Sequence, residues 1–275
     1  MDKSIKNLFL ESKDFSIKLE KYFDVYEDHF SKFRGKNITF VEIGVFNGGS
    51  LRIWKNYFGS NSRIIGIDIN PECKKFANDG IEIYIGNQSD PLFWENFFKE
   101  VGNVDIILDD GGHTNLDQII TTVKCVDKIN DGGVLMVEDT HTSYINEYNS
   151  KESFSFVNFS KKIIDDVNHK AGIHEFEKKD KDFFFKFSLN DYIYSSHFYE
   201  SIVVFKIDRK KTYKNELVRN NGVDHKIEDL TWAGNSIHIN NFKKMTEKIK
   251  FISFRKITRQ LKKRIHNKIL KYFFD

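Results

Sequence analysis

The stretch "VDIILDDGGHTN", residues 104 to 115, runs apolar and then sets Asp109, Asp110, two glycines and His113 within five positions. A second stretch, "GGVLMVED" (132 to 139), is apolar up to Glu138 and Asp139. If the two runs are neighbouring strands about 4.8 Å apart, four carboxylates converge beyond their carboxyl ends, where open α/β sheets bind ligands. Such repulsion is relieved by a cation, and an all-oxygen donor set selects a hard ion such as Mg²⁺ or Ca²⁺ over zinc. Successive strand side chains point to opposite faces, so Asp109 and Asp110 should do different jobs. Asp110, Glu138 and Asp139 are assigned to the metal, and Asp109 to the cofactor side. His113, three residues beyond Asp110, then stands within reach of a hydroxyl held at the ion; an imidazole of ordinary pKa, about 6.5, accepts a proton near neutrality. Simpler readings also fit: "DDGG" as a turn, "ED" as a helix-capping pair, His113 as a third metal ligand or a surface residue.

A second site signal is "EIGVFNGGS" (42 to 50), where a strand gives way to a helix and glycines let a ligand approach the backbone. The spacing of Gly44, Gly48 and Gly49 is neither GxGxxG nor GxxxxGK[ST], which argues against a phosphate cradle and a nicotinamide-dependent oxidoreductase. At the end of the next apolar run, "GIDIN" places Asp68 where α/β nucleotide binders put a ribose-binding carboxylate. A nucleoside without phosphates satisfies both observations, and S-adenosylmethionine is one. The alternative is a tight turn with Asp68 capping the next segment.

The elements that must position these residues read as β-branched runs alternating with amphipathic ones, the pattern of a parallel sheet covered on both faces. Strands are expected at 38 to 45, 63 to 69, 81 to 86, 104 to 109 and 132 to 139. Helices are expected in "SLRIWKNYF" after Ser50, "DPLFWENFFKEV" after Ser89, "NLDQIITTVKCVDKI" after Thr114 and "FSFVNFSKKIIDDVNHK". "YIYSSHFYESIVVFKID" (192 to 208) reads as an antiparallel edge hairpin, and "EKKDKD" (177 to 182) as a solvated loop. The expected organisation is a helical lead-in (1–36), an α/β domain (37–210) and a C-terminal extension (211–275).

With 275 residues and 40% hydrophobic content the chain can build one sizeable core. Cys73 and Cys125 are too few for a disulfide framework and lack zinc-site spacing. The N-terminus has no sustained apolar run and no stretch approaches the length that spans a bilayer, so a cytoplasmic location is expected. The charge is uneven: residues 242–275 carry twelve Lys or Arg against Glu247 and Asp275, in a chain of net charge +3. Ile257, Leu261, Ile265, Ile269 and Phe273 recur there every four residues, an amphipathic basic helix. It suits an anionic membrane surface, with the protein peripheral on the inner face. The alternative is a helix packed on the core or in a homo-oligomer. No RNA- or DNA-binding motif is recognisable, so no nucleic-acid partner is expected.

Taken in order, "VEIGVFNGGSLRIWKNYF", "GIDIN", "GNQSD", "IILDDGGH" and "VLMVEDTHTSY" resemble the metal-dependent class I methyltransferases that O-methylate sugars on macrolides, the macrocin and mycinamicin type. "SSHFYESIVVFKI" resembles the closing strands of that family and "KYFDVYEDHF" its lead-in helix. The resemblance covers roughly residues 20 to 208. It implies a Rossmann-like fold with a mostly parallel seven-stranded sheet, an antiparallel edge hairpin and helices on both faces. It also implies S-adenosylmethionine contacts from Gly44, Ser50, Asp68, Asn87, Gln88 and Asp109, Mg²⁺ ligation by Asp110, Glu138 and Asp139, and His113 as general base. Asn87 stands where an acidic residue is usual, and His141 where relatives tend to have a bulky apolar one. The short stretch before the first strand contrasts with the extra N-terminal domain of the mycinamicin type, so a macrolide is not the expected acceptor. The function expected is methylation of a sugar hydroxyl in bacterial surface polysaccharide or natural-product biosynthesis. Alternatives are a non-sugar vicinal diol such as a catechol, or a non-catalytic membrane-associated scaffold that retains the fold.

Overall fold

The computed structural model describes residues 3–148, 154–170, 189–213, 218–223 and 225. The chain divides into two compact units, Met1–Leu217 and Val218–Asp275. Nearly all of the second unit, including the expected basic helix, lies outside the described residues, as does the expected loop at 177–182.

In the first unit, seven strands form one sheet in the order β3-β2-β1-β4-β5-β7-β6. Five run parallel: β1 (Thr39–Ile43), β2 (Arg63–Asp68), β3 (Ile81–Ile85), β4 (Val104–Asp109) and β5 (Ile129–Val137). The hairpin of β6 (Ile193–Tyr199) and β7 (Ile202–Ile207) closes the edge, with β7 antiparallel to β5. The central strands are near-continuous apolar runs because helices cover both faces.

The pleat sorts the core into two layers. Phe40, Leu108 and Met136 face α1 (Ile5–Glu11), α2 (Tyr22–Phe30) and α3 (Gly49–Phe58), whose Tyr26, Phe30, Trp54 and Phe58 fill that layer. Val41, Ile107 and Leu135 face the other way, towards α4 (Pro91–Val101), α5 (Asn115–Cys125) and α6 (Phe156–Lys170). The lead-in helices thus share a core with the sheet. A short helix, α7 (Arg209–Tyr213), follows β7.

Side-chain caps open α4 and α5, whereas α2, behind Lys21, and α3 have none. Asp90 accepts from the Leu92 N–H at the start of α4, and Thr114 from the Asp117 N–H at the start of α5. The expected Ser50 cap is replaced. α3 begins at Gly49 behind Gly48, which adopts a left-handed conformation (φ +73°) and offers no side chain. Ser50 is free to bond elsewhere. No helix among the described residues is long and apolar enough to cross a membrane.

Candidate active site

The carboxyl ends of β1, β4 and β5 meet in register: Ile43 opposite Asp109, and Asp109 opposite Val137. The ladder runs one step further, with the Asp110 N–H donating to the Ile43 carbonyl (3.0 Å) and the Glu138 N–H to the Asp109 carbonyl (2.9 Å). Glu42, Asp110 and Glu138 each lie two residues beyond an apolar side chain of the α2/α3 layer, so alternation brings their carboxylates to the same face. Asp109 belongs to the opposite face.

On the first face the charge is met by a residue that sequence reasoning missed. Lys18, in the segment between α1 and α2, places its Nζ 2.5 Å from Asp110, 2.8 Å from Glu138 and 3.8 Å from Glu42. Burial acts to lower this ammonium's pKa, but the neighbouring carboxylates, Asp110 and Glu138 foremost, outweigh it and hold the pKa well above its usual range. One positive charge cannot compensate three negative ones. Burial accordingly raises Glu42 to about 7 and Glu138 to about 8, with Lys18 opposing the shift in both. α2 supplies further donors: Tyr26 donates to Glu138, and Tyr22 to Asp139 (2.5 Å). Ser50 donates to Glu42 at 2.6 Å and the Trp54 indole N–H at 3.2 Å. A signal for this existed in "TFVEIGV", where a carboxylate inside a buried strand demands polar partners.

On the other face Asp109 is buried and accepts from Gln88 Nε2 (3.0 Å) and the Gly111 N–H (3.2 Å). Burial pushes it up to about 6 against those two bonds. Gln88 in turn accepts from the Gly112 N–H (2.8 Å), which ties the β3–α4 loop to the loop holding His113.

Asp139 and His113 sit beyond the strand ends, both in left-handed backbone (φ +54° and +56°), a conformation uncommon outside glycine and concentrated at functional sites. His113 Nε2 lies 3.6 Å from Asp139 Oδ2 and 4.0 Å from Asp110 Oδ1. Its Nδ1 is buried without a hydrogen-bond partner among the described residues. Asp110, His113 and Asp139 each offer a ligand atom, all within 4.8 Å of one another. Together with the surplus of carboxylates over the single ammonium, this set fits a hard divalent cation. Glu138 is engaged by Lys18 and Tyr26, and stands outside that trio.

Asp110, His113 and Asp139 line a cavity of about 820 Å³. Gly44, Asp68, Asn87 and Gln88 line it as well. Ser50 and Asp109 are set behind its wall. Gly44 must be glycine, because at φ +93° an added Cβ would stand 2.0 Å from the Asp110 carbonyl oxygen. Asp68 Oδ2 accepts from the Val45 (2.8 Å) and Phe46 (3.1 Å) N–H groups, which fixes the glycine turn against β2. Asn87 Oδ1 accepts from the Ser89 N–H (3.0 Å).

Strand order, reversed edge hairpin and a cavity over the carboxyl ends of the parallel strands define a Rossmann-like fold of the class I methyltransferase kind. The solved MycE methyltransferase of the mycinamycin biosynthetic pathway, in complex with Mg and SAH, shares it with a TM-score of 0.67 at 22% identity, over 82% of this chain and 58% of that one. By sequence, the chain is 31% identical over 161 residues to the 8-demethyl-8-alpha-L-rhamnosyl tetracenomycin-C 2'-O-methyltransferase of Streptomyces olivaceus, covering 55% of this chain and 42% of that protein. It is 32% identical over 128 residues to the mycinamicin VI 2''-O-methyltransferase of Micromonospora griseorubida, covering 43% of this chain and 31% of that protein. The chain thus matches less than half the length of these relatives. No protein-family model matches it.

Proposed function

We propose that this chain is a Mg²⁺-dependent S-adenosylmethionine O-methyltransferase that methylates a sugar hydroxyl. The observation that carries the reading is one cavity lined by Gly44, Asp68, Asn87 and Gln88 together with Asp110, His113 and Asp139. S-Adenosylmethionine supplies an electrophilic methyl on a sulfonium that leaves as a neutral thioether, and Mg²⁺ supplies a seat that acidifies the acceptor hydroxyl. Asp68 and the Gly44 turn bind the nucleoside, and Asn87 and Gln88 border its base. Asp109 acts through Gln88 and Ser50 through Glu42, as positioning residues. Asp110 and Asp139 hold the ion, with Glu138 as the third carboxylate.

His113 Nε2 faces the cluster and takes the hydroxyl proton, which requires the Nδ1–H tautomer beforehand. The imidazolium so formed lies against Asp110 and Asp139, whose charge stabilises it. The convergence of Asp110, His113 and Asp139 favours a second reading in which His113 is itself a ligand. His113→Ala separates them. As a base, its loss lowers turnover by ~10²–10⁴-fold with Mn²⁺ affinity retained; as a ligand, its loss removes the affinity too.

The reading is tested by incubating the chain with labelled S-adenosylmethionine and acceptor sugars and following transfer by mass spectrometry. Calorimetric binding of NAD in place of S-adenosylmethionine overturns it. Acceptors in surface polysaccharide or natural-product pathways both agree with it, and a catechol acceptor is the competing substrate class. The basic 242–275 segment suits an acceptor at an anionic membrane; equal liposome flotation with and without it removes that part.

A further inference from the structure

Residues 12–19 form a strap across the cavity's lip. The Phe15 carbonyl oxygen packs so closely on the start of α3 that a Cβ on Gly49 would lie 2.3 Å from it. Asp14 pairs with Arg52 of α3 at 3.5 Å. Ile17, 72% exposed, contributes to the cavity wall. The next residue turns inward: the Lys18 side chain is 5% exposed and its ammonium bonds Asp110 and Glu138, with Glu42 at 3.8 Å. A single short strap therefore touches the cavity through Ile17 and the carboxylate cluster through Lys18.

We infer that Lys18 is the built-in counter-cation of this cluster, and that a divalent ion takes its seat by displacing it, moving the strap. The inference rests on the proposed metal use of Asp110 and Glu138. An ammonium that bonds Asp110 Oδ2 and Glu138 Oε2 occupies one oxygen of each of two carboxylates assigned to the ion. Two cations in so buried a site also repel strongly. Either the ion binds without Glu138 beside a resident lysine, or the lysine leaves; the ammonium's bonds to both Asp110 and Glu138 favour departure. A buried lysine here sets a threshold on metal affinity and offsets part of the carboxylate charge when no metal is bound. Because the strap also lines the cavity through Ile17, metal and cofactor affinities become linked, each changing the other by the same factor.

Calorimetry with Mn²⁺ on the full chain and on Lys18→Met tests this. The variant is expected to bind Mn²⁺ at least ~10-fold more tightly, since no ammonium has to be displaced. Lys18→Met leaves buried carboxylates without a counter-charge, so hydrogen exchange on the unaltered chain provides a measurement that needs no variant. Exchange in residues 12–19 should rise on adding Mn²⁺ and stay constant with NaCl of matched ionic strength. Equal or weaker Mn²⁺ binding by Lys18→Met, or unchanged exchange in 12–19 while Mn²⁺ binds, overturns the role of Lys18 and leaves the metal reading standing. Failure of Mn²⁺ to bind either protein overturns both.

Discussion

Asp109 and Asp110 are neighbours in the chain with opposite fates. Asp109 is buried among neutral donors on the α4/α5 face, holding Gln88 against the loop before α5. Asp110 reaches the α2/α3 face, borders the cavity and shares an ammonium with Glu138 while lying near His113. The same side chain is a positioning acceptor in one setting and a charged centre in the other. What separates them is the strand pleat, a half-turn of the backbone, not composition.

The largest effect should fall on the Asp110 side. Asp110→Ala is expected to lower methyl transfer by at least ~10³-fold and abolish its response to Mg²⁺, with S-adenosylmethionine affinity measured without Mg²⁺ kept within about threefold, read by turnover assays and calorimetry. Asp109→Ala should show the reverse split: a cofactor KM raised by about tenfold as Gln88 loses its acceptor, a retained Mg²⁺ response, and about 1–3 kcal/mol of stability lost in urea unfolding. If both variants lose the metal response equally, the division between the faces is broken.

Smaller changes sharpen it. Tyr26→Phe removes the donor to Glu138 without touching Asp109, and should cost about 1–2 kcal/mol and a few degrees of Tm. Magnesium should restore more Tm in this variant than in Asp109→Ala.

The smallest effect is a control on α2 away from the cluster. Burial first, then Lys206, His197 and Lys32, lower His29 to about 4. A lowered histidine binds its proton more readily in the unfolded chain, so the stability it contributes is complete above pH ~6.5 and falls as pH drops towards 4. His29→Phe should flatten that slope in pH-dependent unfolding and leave the Mg²⁺ response intact.

Much of the scaffold was legible in sequence. The five parallel strands, the edge hairpin and the Thr114 cap lie where apolar runs and capping residues put them, because local periodicity and capping are short-range signals, while the cap of α4 is Asp90, one residue beyond Ser89. Boundaries moved where tertiary geometry intervened. α3 starts at Gly49 because the chain turns through left-handed Gly48, and β5 spans Ile129–Val137 rather than 132 to 139. In the site, the convergence of Asp110 and Glu138 was expected if their strands were neighbours, and β4 does pair with β5. Lys18, Tyr22 and Tyr26 were not expected, since they come from segments some ninety or more residues away in sequence and carry no spacing relative to the strands they serve.

By itself, then, the sequence determined which carboxylates end which strands and on which face each emerges, because alternation along a strand is a property of the local backbone. Only the tertiary structure decided what meets them: a lysine from the N-terminal strap against Asp110, a glutamine against Asp109, two tyrosines of α2 on Glu138 and Asp139. Those pairings depend on how distant segments pack, and the cost of leaving a buried charge without a partner selects among the packings.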